Sequence, residues 1–224
     1  MLHLGGRDYE ATLPGGACDA TPQFYVSIEG DGGTTVTDPS DAPGGFFQTS
    51  VGTIVTEVSD DFETDAGWTV ENGPGLSAGS WERGVPVGGG DRGDPPTDFD
   101  GSGQCWLTQN GDGDTDVDGG MTLLISPTYD VSAIDDPAIN FALFYTNFAG
   151  AGPNEDVFNV YLSDDNGSSW TLAATYGPAV SLSVWLEKTL RISDFVTPNS
   201  QVRIRFEASD LINGSIVEAG VDAL

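Results

Sequence analysis

The chain has 224 residues, 38% of them hydrophobic and 10% aromatic, so it is long enough and apolar enough to bury a core. Its 35 acidic residues against 7 basic ones give a formal net charge of -28. This argues against binding to nucleic acid or to an anionic membrane surface, because both need clustered lysine and arginine. Neither a transmembrane span nor a secretory signal is recognisable in the sequence, so insertion into a membrane is not expected and export would need a targeting segment outside this chain.

The first segment, residues 1–52, is predicted to form four short strands at residues 9–13, 23–29, 34–37 and 46–51. In the second of these, Phe24, Val26 and Ile28 alternate with other residues, as on a strand with one buried face. The glycine-rich stretch 30–33 predicts a hairpin turn. Four strands are too few to enclose a sandwich core. We therefore expect a partial β-sandwich that another surface completes.

The second segment, residues 53–224, contains a longer series of strand patterns. The clearest are at residues 104–109, 121–125, 139–146, 157–163, 169–175, 184–192, 201–208 and 215–222. Regular turn signals between them predict an all-β, antiparallel sandwich or jelly roll and not a βαβ fold. Two long loops, 84–103 and 110–120, interrupt the series. Long glycine- and aspartate-rich loops in a compact β domain are usually functional or ordered by a metal.

The loop 110–120 contains an alternating run of four aspartates, Asp112, Asp114, Asp116 and Asp118. Calcium needs six to eight oxygen ligands, and closely spaced carboxylates supply them. The run copies the first half of an EF-hand loop, but the position of its bidentate glutamate is Ile125, so an EF-hand is excluded. Close like charges repel unless a cation lies among them. We therefore expect a calcium site on a β loop, with a bare, solvated acidic loop as the alternative.

Several short motifs occur one after another along the chain, and their order is informative. They are Asp60-Asp61-Phe62-Glu63, Gly67-Trp68, Asp100-Gly101-Ser102-Gly103, Asp116-Val117-Asp118-Gly119-Gly120, Ser126-Pro127, and Gly214-Ser215-Ile216-Val217-Glu218 through Val221-Asp222. In this order they resemble the MAM-like, galactose-binding-like jelly-roll domains at the C-terminal ends of secreted bacterial proteins. Residues 1–52 resemble the closing strands of an Ig-like or fibronectin-like module. The resemblance implies a partial Ig-like β-sandwich at 1–52 followed by a jelly-roll β-sandwich at 53–224.

The same resemblance implies where a structural Ca²⁺ would bind. In such domains the metal lies where the first strand, a long loop and the last strand meet. On this chain that position nominates Glu63, Asp118 and Asp222, with Asp61 as a further ligand and Asp116 as a neighbour. A calcium ion at this position would tie the two ends of the domain together.

Other side chains are candidates for contact with a ligand. Trp81, next to the long loop, and Tyr145 could stack on sugar rings, as exposed aromatic side chains do in carbohydrate-binding modules. Arg203 and Arg205 share the outward face of a predicted strand and could grip a carboxylate. In so acidic a chain, intramolecular ion pairs are the alternative explanation for these two arginines.

Two further features of the sequence indicate a structural role and not a catalytic one. Ser163-x-Asp165-x-Gly167-x-x-Trp170 matches an Asp-box, which predicts a hairpin with Asp165 accepting backbone hydrogen bonds and Trp170 packing on the turn. The chain has one histidine, His3, and one lysine, Lys188. It therefore lacks the residues for a histidine-based catalytic triad, a histidine-ligated zinc site or lysine chemistry. Only a carboxylate pair could catalyse a reaction, as in glycoside hydrolysis. We therefore do not expect an enzyme.

The combined expectation is a non-catalytic, extracellular, calcium-binding β-sandwich module of a larger secreted or cell-surface protein. It would bind a polysaccharide or a surface protein and so serve adhesion. One alternative is a self-assembling subunit of an extracellular filament, in which other copies of the chain complete the partial first sandwich. Another is a jelly-roll glycosidase.

Overall fold

The computed structural model describes residues 2–5, 8–89, 93–113, 115–179 and 183–224. Contacts divide these residues into two compact units, Ala11–Val58 and a larger one that combines Leu2–Glu10 with Ser59–Leu224. In the described parts of the chain, no helix has the length and hydrophobicity that crossing a membrane requires. The assignment of residues 1–52 and 53–224 to two domains, and the Ig-like character of the first, stay predictions.

Antiparallel strands form nearly all the regular structure. In chain order they are β1 (Leu2–Gly5), β2 (Asp8–Glu10), β3 (Gln23–Phe24), β4 (Val26–Glu29), β5 (Thr35–Asp38), β6 (Phe47–Gln48), β7 (Thr69–Asn72), β8 (Trp81–Gly84), β9 (Cys105–Thr108), β10 (Met121–Ile125), β11 (Ala138–Gly150), β12 (Phe158–Ser163), β13 (Thr171–Tyr176), β14 (Leu186–Arg191), β15 (Arg203–Ser209) and β16 (Ser215–Asp222). One 3-10 turn, Ile192–Asp194, follows β14.

The larger unit is a sandwich of two five-stranded antiparallel sheets. One sheet has the order β13-β12-β15-β10-β7 and the other β14-β11-β16-β9-β8. From β9 to β12 successive strands lie in alternate sheets, and so do β14, β15 and β16. The chain thus crosses between the layers repeatedly, which confirms the predicted jelly-roll β-sandwich.

The alternation predicted for β15 places its side chains on the two sides of the sheet. Val202, Ile204 and Phe206 are fully buried, whereas Arg203 and Arg205 lie partly exposed on the outer face. Successive side chains of a strand point to opposite faces, so the apolar set enters the core and the polar set lines a surface. The sequence prediction for this strand is confirmed.

Aromatic rings from both sheets meet in the core. The ring of Phe206 lies 5.0 Å from that of Phe141, 6.1 Å from that of Trp68 and 6.2 Å from that of Phe158, measured between centroids. Pairs at such distances contribute about 0.5–1.5 kcal/mol each beyond the area they bury. The contact of Phe206 in β15 with Phe141 in β11 joins the two sheets across the core.

The smaller unit, Ala11–Val58, contains only two-stranded ladders, β3 with β6 and β4 with β5. The predicted strand 23–29 is divided at Tyr25, where the ladder changes partner. Its expected buried face is not realised, since Ile28 is 58% exposed. Two paired strands expose both faces unless another layer covers them. The predicted hairpin turn is present, with the Gly33 N–H donating to the Gly30 carbonyl at 2.9 Å.

Candidate metal centre and binding face

Three aspartates come together at one end of the sandwich. One carboxylate oxygen from each of Asp98, Asp100 and Asp222 lies within 4.8 Å of the others. Asp222 is the last residue of β16 and is fully buried, while Asp98 and Asp100 lie in the loop between β8 and β9. The arrangement brings a rigid strand end and a long loop to a common point.

Backbone hydrogen bonds hold these carboxylates in place. Asp222 Oδ2 accepts the N–H of Phe99 at 2.7 Å. Asp98 Oδ2 accepts the N–H of Gly103 at 3.0 Å, and Asp100 Oδ1 accepts the N–H of Ser102 at 2.8 Å. Each of the two loop aspartates thus commits one oxygen to the loop backbone. The remaining oxygens are the ones a cation would bind.

The electrostatics of this cluster favour a cation. Burial, followed by the nearby charge of Asp100, raises the pKa of Asp222 to about 6, against the effect of its backbone hydrogen bonds. Burial and the charges of Asp222, Asp98 and Asp100 also raise the pKa of the Cys105 thiol. A divalent cation among the carboxylates would offset their mutual repulsion.

Glu63, nominated from the sequence, lies beside this cluster. Its carboxylate oxygen Oε1 accepts the N–H of Gln104, the residue directly after Gly103, whose own N–H binds Asp98. Asp61 is adjacent, with its Oδ1 accepting the Glu63 N–H at 3.2 Å. The two consecutive amides 103 and 104 therefore link Glu63 to the aspartate cluster. Asp98 and Asp100 were not nominated, although the loop that carries them was marked as functional or metal-ordered.

Asp118 and Asp116 lie elsewhere, and this corrects their expected grouping with Asp222. The N–H of Val117, which stands between them, donates to the carbonyl of Val217 at 3.0 Å. Val217 is five residues before Asp222 on β16, about 16 Å along an extended strand. Asp118 instead pairs with Ala78 in an isolated bridge. Of the other two aspartates in the run, Asp112 is exposed and Asp114 lies outside the described residues.

Trp81 and Tyr145 are buried, which corrects the expectation that they contact a ligand. Trp81 is 3% exposed, and its indole N–H donates to the Thr122 carbonyl at 3.3 Å. Tyr145 is 4% exposed and packs on Phe158, with the ring centroids 5.7 Å apart. Both rings belong to the core, because large aromatic side chains next to a loop still point inward when the strand register directs them there.

Arg205 is part of a layered group on the outer face of β12 and β15. Its guanidinium carbon lies 4.2 Å from the ring centroid of Tyr161 and 4.7 Å from that of Trp170. Its Nη2 is 3.9 Å from a carboxylate oxygen of Glu207. Arg205 Nε is buried and has no hydrogen-bond partner among the described residues. We call Tyr161, Trp170, Arg205 and Glu207 the arginine platform.

Arg203, the other nominated arginine, has a structural role at its Nε, which donates to the Ser126 carbonyl at 2.8 Å. It lies two residues from Arg205 on the same face, as predicted. Tyr161 and Glu207 were not nominated, whereas Trp170 was expected to pack on the Asp-box turn. In the sequence, the signal for these two residues is their outward position, Tyr161 on β12 and Glu207 on β15.

The Asp-box turn positions Trp170. Asp165 Oδ1 accepts the N–H of Ser169 at 2.8 Å, and the hydroxyl of Ser163 accepts the N–H of Gly167 at 2.8 Å. Gly167 has φ +87°, which an L-residue adopts with strain. Hydrogen bonds from Ser169 lower the pKa of Asp165 to about 2. The predicted hairpin is therefore present and presents one ring of the arginine platform.

The chain matches no known protein-family model and no curated protein. Among solved structures it is similar to the K2 cleaved adhesin domain of Lys-gingipain, with 16% identity, TM-score 0.45, and coverage of 74% of this chain and 94% of that one. A carbohydrate-binding module of the β-sandwich superfamily matches with 15% identity, TM-score 0.45, and coverage of 92% and 74%. The enzymatically active domain of bacteriophage CBA120 tailspike protein 4 matches with 14% identity, TM-score 0.42, and coverage of 75% and 21%. At these identities and TM-scores the similarity carries no argument about function, which has to be inferred from this chain's own residues.

Proposed function

We propose that this chain is a non-catalytic, extracellular binding module that recognises a neutral polysaccharide at the arginine platform. The observation that carries the proposal is the contact of the Arg205 guanidinium with two partly exposed aromatic rings, 4.2 Å from the centroid of Tyr161 and 4.7 Å from that of Trp170.

The chemistry of the platform matches sugar hydroxyls. Tyr161 and Trp170 are each partly exposed and offer apolar ring surface for stacking on a pyranose. Arg205 donates hydrogen bonds, and Glu207 accepts them, as it already does from the Asn159 side chain at 3.1 Å. The net charge of -28 repels polyanions at long range, so a neutral chain is favoured over an acidic one.

The test is binding to a panel of soluble neutral polysaccharides and a neutral glycan array in calcium buffer, comparing wild type with R205Q and W170A. We expect each substitution to weaken binding at least tenfold, which corresponds to about 1.4 kcal/mol. R191Q is the matched control, since Arg191 is an exposed arginine of the other sheet that pairs with Asp136. Silence across the panel, or equal binding by R205Q and wild type, would remove the platform from the proposal.

Calcium binding is the second part of the proposal. Asp98, Asp100 and Asp222, with Glu63 beside them, offer the hard oxygen ligands that calcium prefers. Such an ion would join the loop between β8 and β9 to the end of β16. Its role would be structural, because a bound ion stabilises the folded chain over the unfolded one.

Self-assembly is a second candidate function, supported by the smaller unit. Every residue of Ala11–Val58 is at least partly exposed, including apolar side chains such as Val36 at 66% and Ile54 at 81%. A strand from a second copy could add to its short ladders and cover these side chains. Light scattering coupled to size-exclusion chromatography tests this: assembly predicts mass that rises with concentration, and a monomer at 100 micromolar would exclude it.

A further inference from the structure

Two buried aspartates, Asp156 and Asp210, meet at the other end of β16 from the Asp98–Asp100–Asp222 cluster. Asp156 lies between β11 and β12, and Asp210 directly follows β15; each is only 4% exposed. Asp156 Oδ1 accepts the N–H of Leu211, the residue after Asp210, at 3.1 Å. The ion pairs of Arg191 and Arg205 are with Asp136, Asp194 and Glu207, and involve neither aspartate.

Two oxygen atoms near these aspartates, Asp156 Oδ2 and Asn147 Oδ1, are buried without a hydrogen-bond partner among the described residues. The Tyr145 hydroxyl lies close by and interacts with the Asn147 side chain. The orientation of the Asn147 amide is set by its Nδ2, which donates to the Asp156 carbonyl at 2.6 Å. Its Oδ1 is therefore the free acceptor. Buried polar atoms are nearly always satisfied, so two together point to a group that binds them.

Hydrogen bonds bring these residues together, because Asp156 accepts the Leu211 N–H through its Oδ1 and the Asn147 side chain through its carbonyl. Burial, then the charge of Asp156, raises the pKa of Asp210 to about 6, and Asp118 adds to this effect. Burial and the charges of Asp156 and Asp210 also raise the pKa of Tyr145. By their hydrogen bonds and burial, Asp156, Asn147 and the segment that begins at Asp210 form a single buried group.

We propose that Asp156, Asp210 and the side-chain oxygen of Asn147 bind a second calcium ion. All the donors are oxygens, and none is an imidazole or a thiolate, so the site suits a hard cation and not zinc or copper. The ion balances two buried carboxylates and satisfies atoms that the protein leaves unpaired.

The two cation sites are separate. Asp210 precedes β16 and receives a backbone hydrogen bond from Ser215, the first residue of that strand, whereas Asp222 is its last residue. Seven steps along an extended strand span about 23 Å. The second ion would join the segment after β11 to the segment between β15 and β16, whose residues Leu211 and Ile212 are exposed apolar side chains. It would therefore fix the shape of an apolar edge of the sandwich.

The experiment counts calcium ions bound per chain, by equilibrium dialysis at 10 micromolar free calcium in 0.15 M KCl at pH 7.5. We expect two ions for wild type, one for D156N/D210N, one for D98N/D100N and none for the quadruple variant. D135N, a change at an exposed aspartate, controls for surface charge and should keep two. If D156N/D210N binds as many ions as wild type, the second site does not exist.

The outcomes separate this inference from the calcium site of the proposed function. A single ion in wild type that D98N/D100N loses would overturn the second site alone. A single ion that D156N/D210N loses would support the second site and overturn the first.

Terbium luminescence gives a readout that leaves both carboxylates of the second site intact. In the D98N/D100N background, emission excited at 275 nm should fall severalfold on Y145F, which removes the phenol beside the ion. No sensitised emission in that background would contradict the proposal.

Discussion

Replacing Asp98 and Asp100 by asparagine is expected to shift thermal stability in opposite directions with and without calcium. Each of these carboxylates uses one oxygen to accept a backbone N–H, from Gly103 and Ser102 respectively. An asparagine Oδ1 accepts the same hydrogen bond. The double substitution therefore removes two charges and two calcium ligands and preserves the shape of the loop.

The magnitude follows from the separation of the oxygens. At the upper limit of 4.8 Å, two unit charges repel by about 1 kcal/mol in water and about 3.5 kcal/mol at an effective dielectric constant of 20. In chelator the variant is relieved of this repulsion and should melt at or above the wild-type temperature. With calcium at 100 times its dissociation constant, the site adds about 2.7 kcal/mol to wild type. For a domain of this size that is a rise of roughly 5–11 °C in Tm.

The assay is thermal melting followed by near-ultraviolet circular dichroism in EDTA and in 2 mM calcium, at pH 7.5 and 0.15 M KCl. Calcium should raise the Tm of wild type more than that of D98N/D100N by roughly 5–11 °C. D135N should behave like wild type in both buffers. Equal calcium-induced shifts in wild type and D98N/D100N would refute the assignment of a cation to this cluster.

Three further predictions concern the frame around the sites. Phe206→Ala should cost about 3–5 kcal/mol in urea unfolding, because the ring is fully buried among three others; a loss under 1 kcal/mol would contradict the described core. Ellman's reagent should titrate one thiol in the native chain and two in denaturant, since Cys18 is exposed, Cys105 is buried, and burial raises the pKa of Cys105. Asp165 has a pKa of about 2, below its ordinary 3.8, so its charged form stabilises the fold above pH 4 and this contribution is lost as the pH falls through 2. The Tm deficit of D165N should accordingly shrink between pH 4 and pH 2, and a deficit independent of pH would argue against the hydrogen bonds of the turn.

Much of the sandwich was predictable because its inner strands carry their own pattern. β10 and β16 have the predicted bounds, and β15 alternates as expected, since one buried face imposes a period of two on a strand. β7 and β8 were missed. Both are short edge strands of four residues that hydrogen-bond to a single neighbour, β10 and β9 respectively. Their conformation depends on that neighbour, so their own residues show no clear period.

The candidate cation sites show the opposite limit. The run at 112–118 alternates four aspartates, yet the structure places Asp118 and Asp222 at different ends of β16. Spacing along the sequence shows which side chains lie on one loop. It does not show which loops meet at the end of a given strand. Asp98 and Asp100 carried a local signal, the turn at Gly101 with φ +80° that follows them. The partnership of Asp156 with Asp210 had none, because 54 positions separate them.

Both acidic groups lie at the ends of one strand, and this position explains why a cation at either would stabilise the unit. β16 is the central strand of its sheet, between β11 and β9. Loops from both sheets converge at its ends, and a carboxylate buried there must be neutralised by a proton or by a cation. A proton removes one charge, whereas a calcium ion also joins residues of separate loops. At the Asp222 end, reciprocal backbone hydrogen bonds between Asp60 and Leu224, at 2.6 and 3.1 Å, already join the first and last residues of the sandwich. An ion held by Asp98, Asp100 and Asp222 would add the loop between β8 and β9 to that closure, so its removal should loosen this end before the ring cluster in the core.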